Sequence, residues 1–205
     1  LIDLVYQQGI DEFNPKQRDF VQLIREACVN MQTLVINLLD LNRIEQGFNS
    51  VNAENVKLSP LMERIVHAFQ EQAVKKGITL SFENHQGEKI VRTDPLLLNR
   101  ILENLISNAI KFSPPNKQVW VRTTTSETHF KIEVQDQGLG ISAEDKPRLF
   151  KKFQRLTNRP TGGESSTGLG LSIAMELVTA LKGKISLESD QKNGSKFIVE
   201  LPSNI

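Results

Sequence analysis

Asn104, Asn108 and Lys111 stand in "NLISNAIKF" at spacings of four and three. On a helix of about 100° per residue their side chains fall within about 60° of one another. The same stripe is apolar one and two turns earlier, at Ile101 and Leu97, so it runs from hydrocarbon into two amides and an ammonium. Amide oxygens suit a hard cation such as Mg²⁺, and a lysine suits a phosphate. Capping or ordinary surface polarity would explain each residue singly. A second candidate is "DQGLG", Asp136 to Gly140, which follows the strand-like "HFKIEV". A carboxylate at a strand end can accept a hydrogen bond from an adenine amine, and Gly138 and Gly140 let the backbone approach a planar ring. Read alone, Asp-x-Gly is more often a plain turn. Further on, "STGLGLSIA" opens a helix. Free N–H groups at such a start form an anion site, and Gly168 and Gly170, interleaved with Thr167 and Leu169, remove side chains that would block a phosphate. This run is neither G-x-G-x-x-G nor a Walker loop. Between the two, "RLFKKFQRL" sets Phe150 and Phe153 among Arg148, Lys151, Lys152 and Arg155. It reads either as a short amphipathic helix or as an apolar anchor for a mobile loop, with a cation in reach of phosphate.

Helices and strands must hold these residues in place. Asp94-Pro95 precedes a helix from about Pro95 to Phe112, whose core face is Leu98, Ile101, Leu102, Leu105, Ala109 and Phe112. Val119 to Thr125 and His129 to Gln135 read as a hairpin, and Lys184 to Ser189 with Ser195 to Leu201 as another, turned at Asn193-Gly194. A helix from about Leu169 to Leu181 lies between them, after a polar, Gly-rich stretch from Asn158 to Thr167. Earlier, Ser59-Pro60 starts a helix that stops at Gly77, followed by short strands at Ile78 to Glu83 and Lys89 to Arg92. Such mixing suggests a two-layer α+β sandwich, a mixed sheet covered by helices on one face. "FNSVNAEN" reads as the linker before it, dividing the chain into residues 1–50 and 51–205.

The first part is helical. Asn14-Pro15 is a helix-start signature, and Phe20, Ile24, Ala27, Met31, Leu34, Leu38 and Leu41 then follow an a/d heptad. Val21, Cys28 and Val35 widen the stripe towards what a four-helix bundle needs. Leu1 to Gln8 reads as the end of a preceding helix, stopped at Gly9. Two helices do not close a four-helix core, so a homodimer is the simplest completion; packing on the rest of the chain is the alternative.

Composition narrows the class. In 205 residues, 25 Lys and Arg nearly cancel 24 Asp and Glu, so no global field points to nucleic acid or an anionic membrane. The one cysteine, Cys28, excludes an internal disulfide, fits a reducing, cytoplasmic compartment, and among Ile24, Ala27 and Met31 reads as a small buried hydrophobe. Apolar runs such as Leu34 to Leu41 are broken by Asn37 and Asp40 and cannot span a bilayer. The chain starts at Leu1 within a patterned segment, as a piece of a longer protein would.

In order, "NLISNAIKF", "DQGLGI", "RLFKKF" and "STGLGLSIA" resemble the N, G1, F and G2 boxes of the ATP-binding domain of sensor histidine kinases, in the superfamily shared with gyrase, Hsp90 and MutL. "NGSKF" resembles the closing glycine turn, and "VINLLDLNRIEQG" the end of the second helix of the kinases' dimerisation and phosphoacceptor domain. The resemblance implies a Bergerat fold preceded by a helical-hairpin remnant of a dimeric bundle. It further implies that ATP and Mg²⁺ bind, with Asp136 on the adenine amine, Asn108 and Asn104 at the metal, and Lys111 and Arg155 on phosphate. Gly138, Gly140, Ile141 and Phe150 would line the first loop, and Thr167, Gly168, Leu169 and Gly170 the second, with Asn158 to Thr167 as the lid. A response regulator receiver domain is the implied partner. Hydrolysing relatives carry a glutamate at the position of Asn104, and an amide cannot serve as that base. Glu103 points about 100° away around the helix. None of His67, His85 and His129 lies in the family's His-Glu or His-Asp setting, so the acceptor histidine is expected upstream of Leu1.

Overall fold

A computed structural model describes residues 13–45, 51–84, 87–154, 156–164, 166–190 and 193–205. They fall into two compact units, one ending at Asn42 and the other running from Arg43 to Ile205. The first holds all but the last turn of helix α1, Pro15–Glu45. Its entry is fixed reciprocally: Asn14 Oδ1 accepts from the Gln17 N–H at 3.0 Å, and Gln17 Oε1 accepts from the Asn14 N–H at 2.9 Å. Phe20, Ile24, Met31, Leu34 and Leu38 of the heptad stay between 39% and 66% exposed in the single chain. Cys28 is exposed as well, contrary to the expectation of burial, because no described residue of its own unit covers that flank of α1. The helix end expected at Leu1 to Gln8 lies outside the described residues.

In the second unit, β1 (Glu54–Lys57) pairs antiparallel with β3 (Ile90–Thr93), Glu54 opposite Thr93. Glu54 and Asn55, expected in the linker, therefore belong to a strand. The single helix expected up to Gly77 is two: α2 (Leu58–Ala68) and α3 (Gln70–Lys75). At Phe69 the backbone tightens, its N–H reaching Val66 O at 3.0 Å. Past α3 the N–H groups of Gly77 and Ile78 turn back to Val74 O and Ala73 O, a Schellman closure with Gly77 at φ +69°.

The main sheet has the order β2-β4-β5-β7-β6, formed by Thr79–Asn84, Gln118–Thr125, His129–Asp136, Gly194–Pro202 and Lys184–Asp190. β2 and β4 are parallel and every other pairing is antiparallel. Alternation sends Val119, Val121, Phe130, Ile132, Val134, Phe197, Val199 and Leu201 into one buried face. Helices α4 (Pro95–Phe112) and α5 (Gly170–Ala180) pack together there, burying Leu98, Ile101, Leu102 and Leu105 of α4 against Ile173, Ala174 and Leu177 of α5. Ile106 and Ile110 are also fully buried, whereas Phe112 is only half-buried, because α4 is flanked by sheet and helix and needs a wider apolar arc than one stripe. The opposite face is polar and charge-laced, with Arg122 Nε bonded to Glu83 at 2.7 Å and its guanidinium stacked over Trp120. The result is the expected two-layer α+β sandwich, a mixed sheet with helices on one face.

Candidate functional site

Asp94 sets the direction of α4. It is 4% exposed, and its Oδ1 accepts from the N–H groups of Leu96 and Leu97 at 2.9 and 3.1 Å, while Oδ2 takes the Asn52 N–H at 2.8 Å. Thus anchored, α4 presents Asn104, Asn108 and Lys111 half-buried along one edge. The Asn104 amide donates to Arg100 O at 2.9 Å, which leaves its Oδ1 against the start of α5: a Cβ on Gly170 would lie 2.7 Å from that oxygen. Only glycine lets the α5 N-terminus approach so closely. The Asn108 side chain makes no hydrogen bond among the described residues. Glu103 is engaged elsewhere, with Arg100 at 3.0 Å and the Asn99 amide at 2.7 Å.

Asp136 ends β5 on the buried face, in line with Phe130, Ile132 and Val134, and is 4% exposed. Its Oδ1 accepts from the N–H groups of Gly138 at 2.7 Å and Ser195 at 3.1 Å, and Oδ2 takes no donor among the described residues. Burial raises its pKa to about 6, and the two backbone N–H groups recover only part of that shift. The closing turn makes this contact possible, since a Cβ on Gly194 would sit 2.0 Å from Asp136 O. Gly138 in turn lies against Phe112 O at the end of α4, so the strand-end carboxylate and the amide edge of α4 are neighbours. The loop is then tied down: the Ile141 N–H donates to Ser189 Oγ at 2.9 Å, and Gly140 O accepts from the Asn158 amide.

The second loop reaches α5 through Thr167, whose Oγ1 accepts from the Leu169 N–H at 3.3 Å. Gly168 takes φ +71°, Leu169 is fully buried and Gly170 begins the helix. In "RLFKKF" the anchor is Leu149, 4% exposed; Phe150 is half-buried and Phe153 is 63% exposed. A short 3-10 turn at Lys146–Arg148 precedes them and leaves too little helix to bury both phenylalanines. Arg155 lies outside the described residues.

Between these loops the segment around Thr161 closes on the end of α4. The Thr161 N–H donates to Lys111 O at 3.0 Å and its hydroxyl to Ser113 O at 2.7 Å. Lys76 donates to Lys111 O at 2.6 Å and pairs with Glu164 Oε1 at 2.6 Å. Burial holds the Lys111 ammonium below the usual lysine range, with Glu164 pulling it back up and Lys76 pressing it down. Lys76, Thr161, Glu164 and Ser195 did not stand out in the sequence. Their one trace was position: Lys76 directly before the helix-stopping Gly77, and Ser195 inside "NGSKF".

Asp136 and Gly138 thus adjoin the C-terminal end of α4, and Asn104, further back on the same helix, adjoins Gly170 at the start of α5. Residues 93–205 match the family model described as histidine kinase-, DNA gyrase B-, and HSP90-like ATPase. The circadian input-output histidine kinase CikA of Synechococcus elongatus is 32% identical over 189 residues, 91% of this chain and 25% of that protein. This chain therefore spans about a quarter of that relative's length. Among solved structures, full-length ShkA in complex with AMPPNP superposes with a TM-score of 0.79 at 24% identity, over 93% of this chain and 39% of that one. The histidine kinase ThkA in complex with the response regulator protein TrrA gives 0.72 at 22% identity, over 98% of this chain and 56% of that one. At those identities the two structures speak for the fold.

Proposed function

The chain belongs to the histidine kinase-, DNA gyrase B- and HSP90-like ATPases, and we propose that it is the catalytic region of a sensor histidine kinase. It would bind ATP with Mg²⁺ and place the γ-phosphoryl for a histidine of a helical bundle, from which it passes to an aspartate of a response regulator receiver domain. The observation that carries this reading is the buried Asp136, whose Oδ2 has no donor among the described residues. A purine amine is the donor it lacks. Gly138 and Gly140 would flank the ring, with Ile141 and Phe150 as its apolar border. The amides of Thr167 to Gly170 and the Lys111 ammonium would hold the phosphates. Mg²⁺ would be bound by the amide oxygen of Asn108, assisted by Asn104, and would neutralise charge on the phosphate oxygens.

An imidazole nucleophile needs no carboxylate base, and the nearest candidate, Glu103, is occupied by Arg100 and Asn99. That favours phosphoryl transfer over water activation; the protein's share of the work is positioning and charge stabilisation. Neither described histidine is set for the transfer: His67 lies in the last turn of α2, and His129 begins β5 with its ring on Thr128 Oγ1; His85 lies outside the described residues. The apolar stripe of α1, exposed in the single chain, supports a homodimeric bundle, and the receiver-domain partner follows from the kinase reading itself.

The test has two steps. Calorimetry should show binding of ATP or ADP, tighter with Mg²⁺ for ATP, and no binding of GTP, whose base presents a carbonyl to Asp136. Incubation with γ-labelled ATP should leave this chain unlabelled, and should label a version extended upstream through the acceptor motif in acid-labile form. No label on the extended version would favour a nucleotide-gated scaffold instead.

A further inference from the structure

Glu164 stands where a nucleotide's charge is expected to go. Its Oε1 is 2.6 Å from Lys76 Nζ, and its Oε2 takes the Gly162 N–H at 2.9 Å. Lys76 is 11% exposed and donates at the same time to Lys111 O, at 2.6 Å. Thr161 fastens the same segment to α4 through Lys111 O and Ser113 O. The carboxylate is thereby held beside the C-terminal turn of α4, the turn that carries Lys111. For Glu164 itself, burial pushes the pKa up, but the Lys76 and Gly162 hydrogen bonds outweigh it and keep the carboxylate below its usual range.

We propose that Glu164 is a resident counter-anion of the phosphate end of the site, retained by Lys76, which an incoming polyphosphate must displace from the field of Lys111. The inference rests on the nucleotide-binding reading above and deepens it. Two anions cannot share one ammonium at full strength, so each phosphate charge added to the ligand raises the competition. Glu164 and Lys76 then act as positioning residues. They hold the 156–164 segment shut on α4 while no phosphate is present, and release it in proportion to ligand charge.

The test is a charge ladder of adenosine, ADP and ATP, titrated into the unmutated chain, Glu164→Gln, Lys76→Gln and the double variant. Glu164→Gln is expected to tighten ATP about two- to fivefold, ADP less, and adenosine not at all. Lys76→Gln, which leaves Glu164 facing Lys111 alone, should weaken ATP relative to adenosine, and that loss should vanish in the double variant. Unchanged adenosine affinity certifies that each variant is folded. An equal shift for all three ligands, or no shift, would overturn the counter-anion. A loss that persists in the double variant would make Lys76 a direct phosphate contact and overturn its retaining role. Should the unmutated chain bind none of the three, the nucleotide reading itself fails, and the latch falls with it.

Discussion

Asp136 sits uneasily when charged. Its folded pKa of about 6 lies above the ordinary aspartate value of 3.8, so the native state holds the proton more tightly than the unfolded chain. Stability contributed by this group is therefore fully present below pH 3.8 and is lost as the pH rises towards 6. The difference between those two values corresponds to at most about 3 kcal/mol. Asp136→Asn keeps an oxygen for the Gly138 and Ser195 N–H groups and removes the charge. The variant is expected to melt several degrees higher at pH 7.5, with the gain gone at pH 4, while losing nucleotide affinity. Equal melting temperatures at pH 7.5 would refute the burial penalty. The unmutated chain should lose ATP affinity as the pH falls through 6, as the carboxylate acceptor protonates. Asn108→Ala, in contrast, should leave nucleotide binding and remove its Mg²⁺ dependence, so titrations with and without the metal would nearly coincide. A preserved metal effect would move the ligand to another residue. Asp136 was legible in the sequence because it follows the strand-like "HFKIEV" and opens a glycine-rich turn. Its partner Ser195 was not, because that contact spans 59 residues.

At the scale of elements, legibility followed local chemistry. α1 and α4 announce their starts through Asn14-Pro15 and Asp94-Pro95, and both caps form as hydrogen bonds within four residues. β1 carries no such mark: "ENVK" is a strand only because β3 lies alongside it. The break at Phe69 was hidden because α2 and α3 read as one helical stretch and only tertiary packing bends the chain there. The turn at Gly194 offers a clean energetic test against Gly87. Both adopt positive φ, +81° and +77°, but a Cβ at Gly87 meets nothing within 4 Å, whereas at Gly194 it meets Asp136 O at 2.0 Å. Alanine at Gly87 should cost about 1 kcal/mol of backbone strain. At Gly194 it should cost about 2–4 kcal/mol, because strand backbone must also move. Equal denaturant midpoints for the two variants would show that the close approach carries no energy.

For the molecule as a whole, the uncovered stripe of α1 sets an expectation about assembly. Leu34 is 39% exposed and Met31 66% in the single chain, on a helix whose apolar residues repeat as a seam. Leu34→Glu would place an unpaired charge in that seam if a second copy covers it. Light scattering should then show dimers for the unmutated chain and monomers for the variant, with nucleotide binding retained in both. A monomeric unmutated chain at high concentration would dispose of the seam. Among the described residues no helix is long and apolar enough to cross a membrane. The order β5-β7-β6 has one more consequence, which concerns synthesis. β7, whose Ser195 bonds Asp136, follows β6 in the sequence yet must insert between β5 and β6, so its pairing with β5 is non-local and slow to form. A nascent chain that has emerged only as far as β6 carries Asn104, Asn108, Lys111 and both glycine loops, yet Asp136 still lacks its Ser195 donor. If Asp136 holds the purine as proposed, ATP stabilises by mass action chiefly those molecules in which β7 has already oriented that carboxylate.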